Sequence, residues 1–219
     1  MQIAQTGIID CTMPSMTLLF AMPPAELVLA PHVALVLEKQ LWFGWITCWL
    51  ALAVFSKSTK RRESPVQRFE HLLPSFIGFI LVFWDRYFGG WLTSPSIVPG
   101  TVLLLLCVAL TTCGLLFTFW ARFVLGNNWS GTVTIKKDHQ LIRRGPYRWI
   151  RHPIYTGLLA ALAAAVVTQG TPRALLGFAL VLWSLYRKAR REESFLSQEF
   201  GDLFAEHRRS TGMFLPRFG

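Results

Sequence analysis

Hydrophobic positions along this chain fall into long unbroken blocks, with polar residues gathered between them. Three blocks are long enough to cross a bilayer, whose hydrocarbon core takes about 20 helical residues. The first runs from Val33 to Phe55 with Glu38 and Lys39 inside it, the second from Leu72 to Phe88, and the third from Thr101 to Val124. Glu38 and Lys39 must snorkel or meet a partner, because a charge in lipid is costly. Two shorter blocks follow, Ile154 to Thr168 and Ala174 to Tyr186, parted by Gln169-Gly170-Thr171-Pro172-Arg173. Glycine and proline in so short a break predict a tight helix–turn–helix hairpin. Within the first of these blocks, Gly157, Ala161 and Ala165 form a stripe of small residues that lets another helix approach closely. The apolar stretch ahead of Glu38 is broken by Pro23, Pro24 and Pro31. It reads as an interfacial arm, with an additional span as the alternative.

Basic residues then assign the sides. Lys57, Lys60, Arg61, Arg62 and Arg68 follow the first span. Arg122, Lys136, Lys137, Arg143, Arg144, Arg148 and Arg151 lie between the third and fourth, and Arg187, Lys188, Arg190 and Arg191 follow the fifth. The remaining connections carry almost none, so five spans with the N-terminus outside satisfy the positive-inside rule at every loop. The loop after the third span and the C-terminus are then cytoplasmic. Composition agrees: 53% of residues are hydrophobic and 16% charged, against roughly 25% charged in a soluble domain. The net charge of +10 does not point to nucleic acid, because the basic residues flank apolar blocks and do not line a polar face. Cys11, Cys48, Cys107 and Cys113 show no C-x-x-C pairing and read as small hydrophobes, with no metal site and no disulfide framework. The N-terminus lacks the pattern of a cleaved signal peptide. The expected fold is an all-α integral membrane protein of about five transmembrane helices, the last two a hairpin, with a cytoplasmic cofactor-binding loop and a C-terminal helix. Residues 1–124 would form the arm and the first three spans, and residues 125–219 the catalytic region.

The polar connection from Gly126 to Arg151 is long for a small membrane protein, which marks it as functional. Val133-Thr134-Ile135 has strand character, but no Rossmann glycine fingerprint follows it, and no P-loop, H-E-x-x-H or G-x-S-x-G occurs in the chain. At its end stands Gly145-Pro146-Tyr147-Arg148-Trp149-Ile150-Arg151-His152-Pro153-Ile154-Tyr155-Thr156-Gly157. Taken singly, a tyrosine or tryptophan here is an interfacial anchor, and a histidine before proline is a cap. Their order and spacing, with His139-Gln140-Leu141-Ile142 upstream and Arg191-Glu192-Glu193 and Phe200-Gly201 downstream, resemble the isoprenylcysteine carboxyl methyltransferase family. The related membrane phospholipid methyltransferases share the broader pattern. The resemblance covers Leu125 to the C-terminus.

That resemblance implies a membrane methyltransferase that uses S-adenosylmethionine without a Rossmann domain. Carried over by position, the cofactor would contact Thr132, His139, Gln140, Leu141, Ile142, Tyr147, His152, Pro153, Ile154, Tyr155 and Glu192. The residue types suit it. Tyr147 and Tyr155 can stack on adenine or face a sulfonium, a cation–π contact of about 0.5–2 kcal/mol, and the helix start at Pro153 can receive a carboxylate. Glu192 would serve both cofactor and active site. The basic residue one turn earlier, which in the family addresses the substrate carboxylate, is Lys188 here, with Arg187 beside it; a lysine keeps the charge but loses the bidentate fork of an arginine. Phe204, His207 and Thr211-Gly212-Met213 depart from the family pattern near where the acceptor should sit. The implied acceptor is a C-terminal prenylcysteine. A phospholipid amine or the S or O atom of another small lipophile is the alternative, and a non-catalytic membrane scaffold or carrier is the rival from another class. Partners would be a lipophilic acceptor from the bilayer and membrane lipids, with no nucleic acid, no metal, and no oligomeric state implied.

Overall fold

The computed structural model describes residues 31–53, 59–62, 64–85, 88–129, 134–136 and 140–217. The proline-broken arm ahead of Pro31, and with it any additional span there, lies outside the described residues, as do Thr132 and His139. Five long helices, α1 (Pro31–Ala53), α2 (Pro65–Phe83), α3 (Thr101–Leu125), α4 (Pro153–Gln169) and α5 (Pro172–Phe200), are followed by a short α6 (Asp202–Ser210). Among them α2 and α3 are long and apolar enough to cross a membrane by length and composition, and α4 is a shorter apolar helix. One departure from an all-α reading is a small antiparallel ribbon, β1 (Thr59–Arg62) paired with β2 (Thr134–Lys136). The β-branched pair Thr134-Ile135 carries the strand character seen in the sequence. Because β1 follows α1 and β2 follows α3, the ribbon holds two of the basic connections on one side of the bundle.

Local chemistry sets the helix ends. Ser64 caps α2 by accepting from the Gln67 N–H at 3.2 Å, while the Gln67 side chain accepts the Ser64 N–H at 3.1 Å. This capping box, stabilising by about 1 kcal/mol, starts α2 before the apolar block at Leu72, and the helix stops at Phe83, short of Phe88. Pro153 and Pro172 each open a helix at its first turn, where a missing N–H costs nothing. Gly170 ends α4 in the left-handed region (φ +60°) and leaves only Gly170 and Thr171 between α4 and α5. The predicted hairpin is therefore tighter than the sequence implied. Helix α5 also outruns its apolar block: it continues through Arg187-Lys188-Ala189-Arg190-Arg191-Glu192-Glu193 to Phe200 and ends at Gly201, φ +51°. Lysine, arginine and glutamate are good helix formers, so the charge cluster that marks the membrane boundary does not end the helix.

Two close helix pairs build the bundle. Helix α4 lies against α3 where Gly157 faces Gly114; a Cβ at Gly157 would sit 2.5 Å from the Gly114 carbonyl oxygen, and Ala161 packs beside it. Helix α2 lies against α5 where Gly78 faces Gly177, each carbonyl 2.6 Å from where the other's Cβ would stand. In lipid the hydrophobic effect does not drive helices together, so such backbone approach supplies much of the association. The outward faces are apolar, as Leu106, Leu116 and Phe123 on α3 and Phe76 on α2 illustrate. Helix α1 docks on α3 and α4, and its Glu38 does find partners: the Thr168 hydroxyl at 2.9 Å and the Thr111 hydroxyl at 3.3 Å. Lys39 is exposed.

Candidate active site

The site is assembled at the start of α4, on the side where the ribbon lies. Gly145, at φ +59°, turns the chain into a short 3-10 turn, Gly145–Arg148, that buries Pro146 and Tyr147. Tyr147 packs into a cluster with Ala121 of α3 and Ile154 of α4, against which Ile142 also rests. The next residues pair with the segment that follows α6: the Arg151 N–H donates to Gly212 O at 2.9 Å and the His152 N–H to Met213 O at 3.1 Å. Residues 211–217 thus form a strap across the entrance to α4, a feature absent from the sequence reading. The Thr156 hydroxyl fastens it further by donating to Phe214 O at 2.7 Å.

Glutamates from α5 meet this segment. Tyr155 donates its hydroxyl proton to Glu192 Oε1 at 2.6 Å. His152 lies between two carboxylates, with Nδ1 3.4 Å from Glu192 Oε2 and Nε2 3.3 Å from Glu193 Oε1. Its ring is parallel to that of Tyr155 at 5.4 Å, and Phe214 closes edge-on against both. Lys188 Nζ stands 5.4 Å from the Tyr155 ring centroid. Arg151 Nε donates to Glu193 Oε1 at 2.7 Å, and its Nη1 donates to the carbonyls of Arg208 and Thr211.

Electrostatics follow from this packing. Burial alone would lower the His152 imidazole, but the bonds and charges of Glu192 and Glu193 outweigh it and hold the group above its usual value. Burial would raise Glu192; His152, the Lys188 charge and the Tyr155 bond bring it below the usual carboxylate range. Glu193 is likewise opposed by burial, yet His152 and Arg151 take it down to about 2. Burial, and then the charge of Glu192, push the Tyr147 phenol upward. Burial, reinforced by Arg143 and Arg151, lowers His207 to about 4. Both His207 and Glu193 bind protons more weakly when folded than when unfolded. Stability linked to His207 is complete above about pH 6.5 and drains as pH falls through 4, and that linked to Glu193 drains from about pH 4.5 toward 2. Acidification from pH 6.5 to 4 should therefore lower the melting temperature of the detergent-solubilised wild type relative to that of His207→Gln; identical pH profiles in the two proteins would contradict the neutral buried state of His207.

The sequence candidates separate as follows. Tyr147, His152, Pro153, Ile154, Tyr155, Lys188 and Glu192 come together. Ile142 is half-buried against Tyr147 and Ile154, Leu141 is half-buried, and Gln140 is exposed. Arg187 is placed elsewhere: it points to α2 and pairs with Glu70 at 3.1 Å, as Arg191 does at 2.8 Å. Phe204 and His207 are buried on the inner face of α6. Arg151, Glu193, Thr211 and Phe214 were not among the candidate site residues; Arg151 within the Gly145–Gly157 run, the Glu192-Glu193 doublet and Thr211 were visible in the sequence, and Phe214 was not. A separate cleft at the α4–α5 turn contains Gln169 and Arg173, at the opposite end of both helices. No cluster of three or more metal-ligating residues occurs among the described residues.

The donor set suits a cation bearing an adenine ring: a carboxylate at Glu192, aromatic faces at Tyr147 and Tyr155, and the start of α4, whose first backbone bond is that of Thr156 N–H to His152 O at 3.1 Å. The Ile154 and Tyr155 N–H groups precede that bond and can serve an anion. The family model described as the isoprenylcysteine carboxyl methyltransferase (ICMT) family matches residues 101–198. A protein-S-isoprenylcysteine O-methyltransferase of Dictyostelium discoideum is 27% identical over 180 residues, 80% of this chain and 72% of that protein. Its namesake in Saccharomyces cerevisiae is 31% identical over 99 residues, 44% of this chain and 41% of that one. The solved structure of a eukaryotic intramembrane Ras methyltransferase, ICMT, shares the fold with a TM-score of 0.50 at 20% identity, covering 88% of this chain and 71% of that one.

Proposed function

We propose that this chain, which matches the isoprenylcysteine carboxyl methyltransferase family model over residues 101–198, is a member of that family and an integral membrane enzyme that methylates the carboxylate of a prenylated cysteine. The methyl donor is S-adenosylmethionine, and residues 125–219 form the catalytic region, whose loop and C-terminus lie on the cytoplasmic side of a bilayer crossed by α1 to α5. One observation carries this reading: Lys188 and Glu192, one turn apart on α5, both meet Tyr155 at the start of α4, and Glu192 meets His152 as well. S-adenosylmethionine, when bound, supplies a methyl group on a sulfonium sulfur, and its passage to a carboxylate oxygen gives an ester with no proton to move.

The chain's own residues then position and exclude water, which is where in-line displacements gain most. Glu192, ionised by its neighbours, places a negative charge opposite the donor's positive centre. Tyr155 holds that carboxylate through its hydroxyl and offers its ring face to the same cation. Tyr147, Ile154 and the half-buried Leu141 and Ile142 form the apolar bed for the adenosyl group, and Thr132 and His139 are assigned to the same bed by position. Gln140 and the backbone around Pro153 serve the donor's polar ends. Lys188 orients the acceptor carboxylate, which needs no general base because it is already ionised. Arg187, engaged with Glu70, adds positive potential and holds α5 against α2.

Lys188→Ala should raise KM for the acceptor by about 10- to 100-fold, the loss of one charged hydrogen bond, and Lys188→Arg should restore it through a bidentate fork. Steady-state kinetics with a prenylcysteine analogue check this, and an unchanged KM in the alanine variant would take Lys188 out of acceptor binding. The reading as a whole is tested by transfer of labelled methyl in lipid-reconstituted protein, with a prenylated cysteine analogue, phosphatidylethanolamine and a lipophilic thiol as acceptors. Label in the prenylcysteine product, released as methanol by base, is the expected result. Label in the phospholipid or the thiol alone would overturn the carboxylate assignment.

A further inference from the structure

Adjacent glutamates on a helix point about 100° apart, yet Glu192 and Glu193 both reach the same imidazole. Glu193 is only 5% exposed. A single oxygen, Oε1, lies 2.7 Å from Arg151 Nε and 3.3 Å from His152 Nε2. On its other side, Arg151 donates to the carbonyls of Arg208 and Thr211 and to the Thr211 hydroxyl. The strap it holds carries Phe214 against the His152 and Tyr155 rings, with centroids at 6.2 and 6.4 Å. A continuous chain of alternating charge therefore runs from the strap through Arg151, Glu193 and His152 to Glu192.

Resting on the transfer reading above, we propose that Glu193 is a positioning residue: through His152 Nε2 it aims Nδ1 at Glu192, and through Arg151 it keeps residues 211–217 closed over the site. The hydrogen count supports this. With Nε2 donating to Glu193 and Nδ1 facing a second carboxylate, the ring satisfies both neighbours only as an imidazolium. Around it stand Glu192, Glu193 and Lys188 from α5, Arg151 and Tyr155 from its own segment, and Phe214 from the strap, with His207 of α6 behind Glu193. Two carboxylates hold the proton on His152, and Glu193 is the one whose removal leaves Glu192 in place. A residue that merely filled space at this position would not govern that proton.

The test uses Glu193→Gln, which keeps the shape and removes the charge, in full-length reconstituted protein. Titration of the His152 ring is followed by NMR and assigned with His152→Gln. Expected is a His152 transition at lower pH than in the wild type, an alkaline limb of kcat displaced the same way, and kcat lower by about 10²-fold, as for a small misplacement near reacting groups, with KM for the acceptor retained. Trypsin should also cut faster after Arg208 and Arg209 once the strap loosens. Glu193→Asp, which keeps the charge on a shorter arm, should bring the His152 transition back toward the wild-type value, and it supplies the comparison should the glutamine variant not fold. An identical His152 transition and kcat in the wild type and Glu193→Gln would overturn the proposal. If wild-type protein transfers no methyl to any acceptor, the transfer reading fails, while the His152 titration and the strap cleavage still decide whether Glu193 positions these groups.

Discussion

Glu192→Gln is expected to lower kcat by about 10²–10³-fold, the cost of removing one preorganised charge from the region where charge changes during the reaction. Glutamine can still accept from the Tyr155 hydroxyl, which lies 2.6 Å from Glu192 Oε1, so the side chain should stay in place. What is lost is the negative charge facing the donor's cationic centre, and with it one of the two carboxylates beside His152. The donor should bind more weakly as well, measurable by calorimetry with S-adenosylmethionine. Thermal melting of the variant separates this loss from misfolding. Wild-type turnover in a folded Glu192→Gln protein would remove this residue from the site, and the proposed arrangement of α4 and α5 with it.

Gly157→Leu should have the largest effect on the fold. The position has no room: an added Cβ already meets the Gly114 carbonyl oxygen at 2.5 Å and the Thr118 side chain at 2.8 Å. Overpacking commonly costs about 1–3 kcal/mol, and a leucine here adds a whole branched side chain against backbone that cannot yield. Folded protein should fail to accumulate, or melt far below the wild type. Gly44→Leu is the control, because a Cβ at Gly44 on α1 meets nothing within 4 Å. Expression and melting that match the control would mean that α3 and α4 do not touch where the structure places them. Partial retention in Gly157→Ala would be informative too, since Tyr155 is only two residues away and should lose its aim before the helix is lost.

Much of the bundle was legible because lipid imposes a length on every apolar block. Thr101 to Val124 became α3 almost without change, and the glycine–proline break gave the hairpin turn. The ends that failed are those that water governs. The start of α2 depends on a Ser64–Gln67 capping box lying outside the apolar block, and the extension of α5 is held by Glu70, a residue far away in sequence. The same ion pair separates Arg187 from Lys188. A step of about 100° per residue puts Lys188 with Glu192 on one face, but only the position of α2 shows what the neighbouring face meets. The run from Tyr147 to Tyr155 was readable because consecutive residues enter the site together. Residues 211–217 were not, since an irregular strap has no periodicity, and its bonds to Arg151 and Thr156 are made by backbone carbonyls common to every sequence.

The last two helices share one apolar core, yet each makes its closest backbone approach to a different partner. Helix α4 is fastened to α3 through Gly157 and Gly114, and α5 to α2 through Gly177 and Gly78, whereas α4 and α5 share far fewer contacts with each other. Tyr155 and His152 therefore ride on one pair, and Lys188, Glu192 and Glu193 on the other. Their hydrogen bonds are the stitches across that seam. Bilayers of different thickness change helix tilt at modest cost, and tilt between two such pairs is read first at the seam. Alignment of these side chains across the seam is therefore expected to depend on the thickness of the surrounding bilayer.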